Sequence, residues 1–339
     1  EIAKPAQFAQ AVRERAEALA AQSDRPAQAT GVQLTPLQRE FTERGVRYRY
    51  VDVLLDRDAR SATITVHSPA TPQPDDIAGI EAAGVHWWPL QMARELDDAI
   101  LHLRTNEIEL GIWILKTAGH REHVLACDAS MQQHASHWLV RETLGLMRRT
   151  FARIDVSSRS LFALIDQDSC FAGTLAELAF AADRSYMLSL PDAPQDAPVI
   201  TLSAMNFGVL PMITGQGRLA RRFYDDAAKL NELKALLGQA LDADKAMELG
   251  LITANPDDID WADEIRLAIE ERASMSPDAL TGMEANLRFN GQENMFTRVF
   301  GRLSAWQNWI FNRPNAVGES GALKVYGTGS KAKFEFERV

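Results

Sequence analysis

Cysteine is nearly absent. Cys127 and Cys170 are the two that occur in 339 residues. That excludes a disulfide framework and any CxxC metal site, and it fits a reducing, cytoplasmic setting. Long apolar runs are missing as well. No stretch reaches the roughly 18 apolar residues of a membrane-spanning helix, so no membrane partner is expected. Positive charge is in deficit, with a net charge of −10. Nucleic acid is therefore excluded as a partner, and any anionic ligand needs a local basic patch. An apolar signal core is lacking too: residues 1–26 are charged and amphipathic. They also lack an initiator Met, so the chain reads as processed or as a piece of something longer.

What is present is enough apolar sequence, 46% of residues, for a large core. Phe8, Val12, Ala16, Leu19 and Ala20 share one face of a helix expected over 6–22. "RYRYVDVLLD" and "SATITVHS" alternate apolar with polar around "RDAR", which predicts a β-hairpin. "WWPLQMARELDDAILHLRTN" and "HWLVRETLGLMRRTFARI" read as amphipathic helices, and "LGIWILKTAG" and "SLFALID" as buried strands. "HVLACD", "SYMLSL" and "VITLSAMNFGVLP" are read as further strands. Beyond residue 215 the pattern turns almost wholly helical. Strands alternating with helices, followed by a helical block, predict an α/β core with a helical C-terminal extension.

The helix "AVRERAEALAAQSDRP" near the start has an echo in "DEIRLAIEERASMSPDAL", with Ser23 and Ser276 aligned 253 residues apart. Either a module repeats at about one domain length, or two surface helices share an ordinary Ala/Glu/Arg composition. The first option divides the chain into 1–26, the tail helix of a preceding module; 27–45, a linker; 46–255, the α/β core; and 256–339, a helical packing region.

Four segments in order resemble the crotonase (enoyl-CoA hydratase/isomerase) superfamily. They are "LDDAILHLRTNEIELGIWILKTAGHREHVLACDASM", "SRSLFALIDQDSCFAGTLAELAFAADRSYML", "ITLSAMNFGVLP" and "ALDADKAMELGLITA". The resemblance implies a crotonase-like core of ββα repeats wound into a spiral, and an acyl-CoA thioester as substrate. Within the superfamily, "WWPLQMARELDDAI", "CFAGTLAELAFAADR", "SPDALTGMEANLRFNG" and "AWQNWIFNRPNAVGESGALKVYGTGSKAKF" resemble the C-terminal half of ring-opening lyases. Those enzymes act on oxidised benzoyl-CoA in aerobic benzoate degradation and release formate. The resemblance implies an N-terminal crotonase module as partner, a homo-oligomer, and no cofactor beyond the CoA carried by the substrate.

The same resemblance implies a thioester oxyanion hole made of two backbone N–H groups, at Leu125 and, just after Gly173, at Thr174. The sequence departs from the family pattern here: Ala172-Gly173-Thr174-Leu175 replaces a run of glycines, and Leu175 crowds the place. Glu177 matches the family's first acid/base carboxylate. It also completes a T-x-x-E capping box with Thr174, so it is either a catalytic acid or a helix cap. The second family carboxylate falls on Ala204, which cannot move a proton; Ser203 and Asn206 lie nearby but have no suitable pKa. A degenerate module that supports or dimerises a catalytic one is thus an alternative reading, as is an independent hydratase or isomerase.

Cys127 is either a buried small hydrophobe or a reactive thiol. His120/His123 and His134/His137 have a spacing a metal pair could use, but no acidic ligands accompany them, so no metal is expected. "RLARRFY", with Arg218, Arg221 and Arg222, and the tail lysines Lys331 and Lys333 are basic islands. They either meet CoA phosphates or are solvated charges. Trp306, Trp309, Ile310 and Phe311 are expected to bury helix against helix or subunit against subunit.

Overall fold

The computed structural model describes residues 2–24, 28, 30–289, 291 and 293–337. The chain divides into two compact units, 1–34 and 35–339. The first is essentially helix α1 (Pro5–Ala21), which begins at a proline in its first turn, where the missing N–H costs nothing. No residue of α1 is buried, and the expected apolar face, including Phe8, Val12 and Leu19, is exposed.

The second unit is built on a seven-stranded sheet in chain order. Strands β1 (Glu40–Thr42), β2 (Gly45–Arg47), β3 (Val51–Asp56) and β4 (Ser61–His67) form an antiparallel meander. The predicted hairpin is β3–β4, in register from Val51 opposite Val66 to Asp56 opposite Ser61. The span 27–45 expected as linker is not all loop, because Glu40–Thr42 and Gly45 already pair into this sheet.

From β4 onward the pairing is parallel through β5 (Ile112–Ala118), β6 (Ser160–Ile165) and β7 (Arg184–Met187). Parallel neighbours need crossovers, and helices supply them. α2 (Ile77–Ala83) and α3 (Trp88–Asn106) lead to β5. α4 (Arg121–Gln133) and α5 (Trp138–Asp155) lead to β6, and α6 (Gly173–Ala181) leads to β7. Such strands are buried on both faces, which is why β6 reads as the unbroken run Ser-Leu-Phe-Ala-Leu-Ile.

A two-stranded ribbon follows, β8 (Ile200–Thr201) paired with β9 (Ala240–Leu241). Between them lie α7 (Arg218–Arg222) and α8 (Ala227–Lys234). "VITLSAMNFGVLP" is therefore strand for two residues, not throughout. At Ser203 the chain turns into a 3₁₀ turn, Ala204–Asn206, capped by the Ser203 and Asn206 side chains. α9 (Ala243–Glu248), α10 (Trp261–Ala273) and α11 (Pro277–Arg288) follow, then a π-helical turn (Thr297–Leu303) running into α12 (Ser304–Ile310), and two short helices, α13 (Pro314–Val317) and α14 (Ala322–Val325). α10 covers one sheet face, with Trp261, Ile265, Ala268 and Ile269 against Ile112, Ile114, Phe162 and Leu164. Trp306 and Ile310 of α12 rest on Gly282 of α11, where a Cβ would stand 3.3 Å from Ile310.

"HVLACD" is corrected: it is part of helix α4. Of its buried residues, Val124, Cys127, Asp128 and Met131 keep the i, i+3, i+4, i+7 spacing of one helical face, with Ser130 beside them. Read without the residues after it, so short an apolar run carries no period that separates strand from helix.

Candidate functional site

Helix α6 is the centre of the site. All nine of its residues are buried, as its Leu, Ala and Phe on every side require. Gly173 begins it at φ +44°, a left-handed conformation glycine adopts without strain. There is a second demand for glycine. A Cβ at this position would stand 1.8 Å from a carboxylate oxygen of Asp128. The glycine thus lets an acidic side chain from α4 lie directly on the start of α6.

Asp128 uses that approach fully. Its Oδ2 accepts the backbone N–H of Thr174 at 2.8 Å and the Ser203 hydroxyl at 2.7 Å, and its Oδ1 accepts the Thr174 hydroxyl at 2.6 Å. The group is 1% exposed. Burial pushes its pKa up to about 6, against the three donors, which pull it down. A carboxylate at the first turn of a helix also gains from the helix dipole. The N–H that sequence resemblance assigns to an oxyanion is thus held by an anion of the protein itself.

Leu125 falls in the fifth position of α4 and is half-buried. There a backbone N–H belongs to the helix's own ladder. The structure does not bring Leu125 and Thr174 together as two free amides. Leu175 is fully buried and fills space on the core side.

The capping-box reading of Thr174 and Glu177 fails on geometry. The N-cap of α6 is Ala172, with no side-chain cap, and Thr174 already lies inside the helix. Glu177 turns to distant partners instead. Its Oε1 accepts Asn206 Nδ2 at 2.8 Å, and its Oε2 accepts an Arg218 nitrogen at 3.0 Å. Asn206 holds the two halves together, since the same Nδ2 donates to the Gly173 carbonyl at 2.9 Å while its Oδ1 accepts the Ser203 N–H at 3.0 Å. Arg218 goes on to donate to Asp155 Oδ1 at 3.0 Å and to the carbonyls of Phe151 and Leu210.

Burial raises the pKa of Glu177, against the opposing pull of Arg218 and of the hydrogen bonds from Asn206 and Arg218. Burial lowers that of Arg218, but Asp155 and Glu177 outweigh it and the net direction is up. The arrangement is a buried ion triad, Glu177–Arg218–Asp155, with both carboxylates and the guanidinium 1% exposed. Sequence reading took Arg218 for part of a basic island; it is among the most buried large side chains of the molecule. Asp155 was missed outright, and its partner lies 63 residues away in sequence.

The other candidates are dispersed. Cys127 is 2% exposed, and burial raises its pKa far above the ordinary thiol range, so it stays a thiol. Burial pushes Cys170 up to about 11. The His120 and His123 rings lie 5.0 Å apart, with His123 Nδ1 2.8 Å from the Pro69 carbonyl. Lys331 and Lys333 are exposed. Among the described residues no three His, Cys, Asp or Glu side chains are placed to hold a metal, and no helix is long and apolar enough to cross a membrane.

A cavity of about 600 Å³ opens at the C-terminal ends of β4 and β5, the edge where open α/β sheets commonly take ligands. His67, His86 and His120 share its wall with Arg49 and Ser68. Sequence spacing gave no sign of that grouping, because His67 ends β4, His86 lies in the turn before α3 and His120 lies between β5 and α4. His67 is tied to Asp52 at 2.9 Å.

Comparison with known proteins bears on this geometry. No family model matches the chain. It is 58% identical over 339 residues to the benzoyl-CoA-dihydrodiol lyase of Aromatoleum evansii, a match covering 100% of this chain and 60% of that protein. The chain thus spans about three fifths of its relative's length. Solved structures similar to it include an enoyl-CoA hydratase from Geobacillus kaustophilus, with a TM-score of 0.59 and 16% identity over 86% of this chain and 98% of that one. An enoyl-CoA hydratase from Bacillus anthracis gives 0.57 and 15%, over 85% of this chain and 100% of that one. The fold is that of the crotonases, with a helical C-terminal region, and the resemblance to the lyase runs along the whole chain.

Proposed function

We propose that this crotonase-fold chain is a supporting module of a longer ring-opening lyase, and that bond breaking on the CoA thioester takes place outside the Asp128–Glu177 region. One observation carries the reading: Asp128 already occupies the Thr174 N–H. Oxyanion stabilisation needs preorganised donors aimed at where charge develops. Here a developing oxyanion would have to displace a buried carboxylate that accepts three hydrogen bonds, and would be repelled by it.

Two further features agree. Ala204 stands where a second carboxylate would be needed, and Glu177 is sealed against Arg218 and Asn206. An acid so held neither reaches substrate nor exchanges its proton readily.

For the protein as a whole, the relative's name points to the dihydrodiol of benzoyl-CoA as substrate. The reaction we propose opens the oxidised ring hydrolytically: the dihydrodiol takes up one water, one ring carbon leaves as formate and an open-chain semialdehyde CoA ester remains, with general acid/base groups and a thioester oxyanion hole as its means and CoA entering only as part of the substrate. The partners we propose are a second crotonase module in the same polypeptide and further copies of the protein, in the cytoplasm.

The test is turnover of the benzoyl-CoA dihydrodiol by the intact protein carrying Glu177→Gln, with folding checked by circular dichroism. We expect kcat close to that of the unaltered protein. A loss of about 10²–10⁴-fold, the size of a missing general acid or base, would overturn the reading. Calorimetry with benzoyl-CoA on residues 1–339 alone supplies the complement: binding together with turnover that depends on Glu177 would restore an independent hydratase or isomerase.

A further inference from the structure

Beyond the ion triad, α7 carries two more arginines, and neither has an ion-pair partner among the described residues. Arg221 places Nε on the Arg288 carbonyl at 2.8 Å and a terminal nitrogen on the Leu287 carbonyl. Arg222 places Nε on the Gly250 carbonyl at 2.8 Å. Both line a cavity of about 350 Å³ whose apolar wall includes Phe180, Met212 and Leu287. The other two arginines of this cavity are compensated: Arg218 by Asp155 and Glu177, Arg288 by Asp183 at 2.8 Å.

Two half-buried guanidinium groups lining one cavity are an unfavourable arrangement when its wall carboxylates, Asp155 and Asp183, are already taken by Arg218 and Arg288, because burial strips their hydration and like charges repel. The strain is visible in both. Burial and the neighbouring Arg221 bring Arg222 down to about 10, and burial lowers Arg221 as well, with Arg288 and Arg298 adding to the repulsion and Asp183 opposing it. A third sign lies in the same wall. The Nε of Arg218, buried with the rest of its side chain, has no hydrogen-bond partner among the described residues. Backbone carbonyls fix the two Nε groups of Arg221 and Arg222, which orients the planar forks as a prebuilt clamp does.

We infer that Arg221 and Arg222 form a binding site for a phosphate group at the C-terminal end of α6. Phosphate is favoured over a lone carboxylate on charge: a dianion answers two cations, and each guanidinium fork can give it parallel N–H donors. The volume exceeds that of the ion, so a phosphomonoester can lay an apolar or planar body on Phe180, Met212 and Leu287. The inference does not rest on the function proposed for the whole protein.

The test is calorimetry of the intact protein with inorganic phosphate, CoA and dephospho-CoA in turn, at fixed ionic strength set with chloride, and with acetate as the carboxylate control. We expect saturable phosphate binding that weakens about tenfold or more in Arg222→Gln, the scale of losing hydrogen bonds to a charged group. Arg222→Lys, which keeps the charge and loses the fork, should fall between. CoA binding tighter than dephospho-CoA, with phosphate competing, assigns the site to a nucleotide phosphate; equal CoA and dephospho-CoA binding with no phosphate competition assigns it to free phosphate. The inference is overturned if phosphate fails to bind the unaltered protein, if acetate binds as well as phosphate, or if folded Arg222→Gln binds phosphate unchanged.

Discussion

Asp128 on α4 and Thr174 on α6 are joined twice, through the Thr174 backbone N–H at 2.8 Å and its hydroxyl at 2.6 Å, both donating to one buried carboxylate. The contact spans 46 residues of sequence and pins the crossover after β5 to the crossover after β6. It also determines what the start of α6 can bind, since the carboxylate and any other anion compete for the same N–H.

Gly173 is the residue that allows this contact, so Gly173→Ala is the sharpest probe of it. The new Cβ would meet Asp128 Oδ2 at 1.8 Å, on a backbone at φ +44°. Strain and overpacking together predict a loss of about 2–4 kcal/mol. Denaturant midpoints measure it; a change inside a few tenths would mean that α4 and α6 do not approach as described.

Asp128 should also leave a signature in pH. Its folded pKa, about 6, lies above its ordinary value of 3.8. The folded state therefore binds the extra proton between those values, and stability falls as pH rises through that window. The difference amounts to about 3 kcal/mol. Comparing unfolding free energies of the native protein and Asp128→Asn from pH 3.5 to about 7 isolates the term. The native protein should lose stability relative to the variant as pH rises, and a difference that stays flat or runs the other way refutes the assignment.

The triad predicts strong non-additivity. Arg218→Met alone leaves Glu177 and Asp155 as buried acids without a cation, a change of about 3–5 kcal/mol. Adding Glu177→Gln and Asp155→Asn removes both charges and should recover a large part of that loss. Urea midpoints of the single and triple variants decide it. A triple variant less stable than Arg218→Met would show that the carboxylates' bonds to Asn206 and to the Ile213 N–H outweigh the cost of their unpaired charge.

These long-range pairs explain what sequence could and could not reveal. The β3–β4 hairpin, α3, α5 and β6 follow from local periodicity, because each buries a face or a run set by its own residues. The T-x-x-E spacing of Thr174 and Glu177 is equally local, yet it misleads. Both side chains leave the helix start for partners 46 and 41 residues distant, which outcompete the cap. Arg218 read as part of a basic island for the same reason: three arginines within five residues say nothing about the two acids that come to meet one of them. A usable signal did exist at Ser203 and Asn206. Their S-x-x-N spacing is a capping box and marks the break where a continuous strand was expected.

Arg288 is another buried cation, and it fastens α11 to the sheet. At the end of α11 it donates to Asp183, just before β7, at 2.8 and 3.2 Å, and to the carbonyls of Arg159 and Asp155. Asp183 in turn accepts the Leu161 N–H of β6 at 2.7 Å. Arg288→Ala deprives a mostly buried carboxylate of its cation and frees two carbonyls, a loss of about 3–5 kcal/mol. Because those bonds join α11 to the sheet, the loss should appear first as local opening of residues 277–310 while the sheet stays closed. Limited proteolysis followed by mass spectrometry should find early cleavage within that span in the variant. Cleavage that instead starts in β5 or β6, or matches the native pattern, would show that Arg288 does not fasten α11 to the sheet.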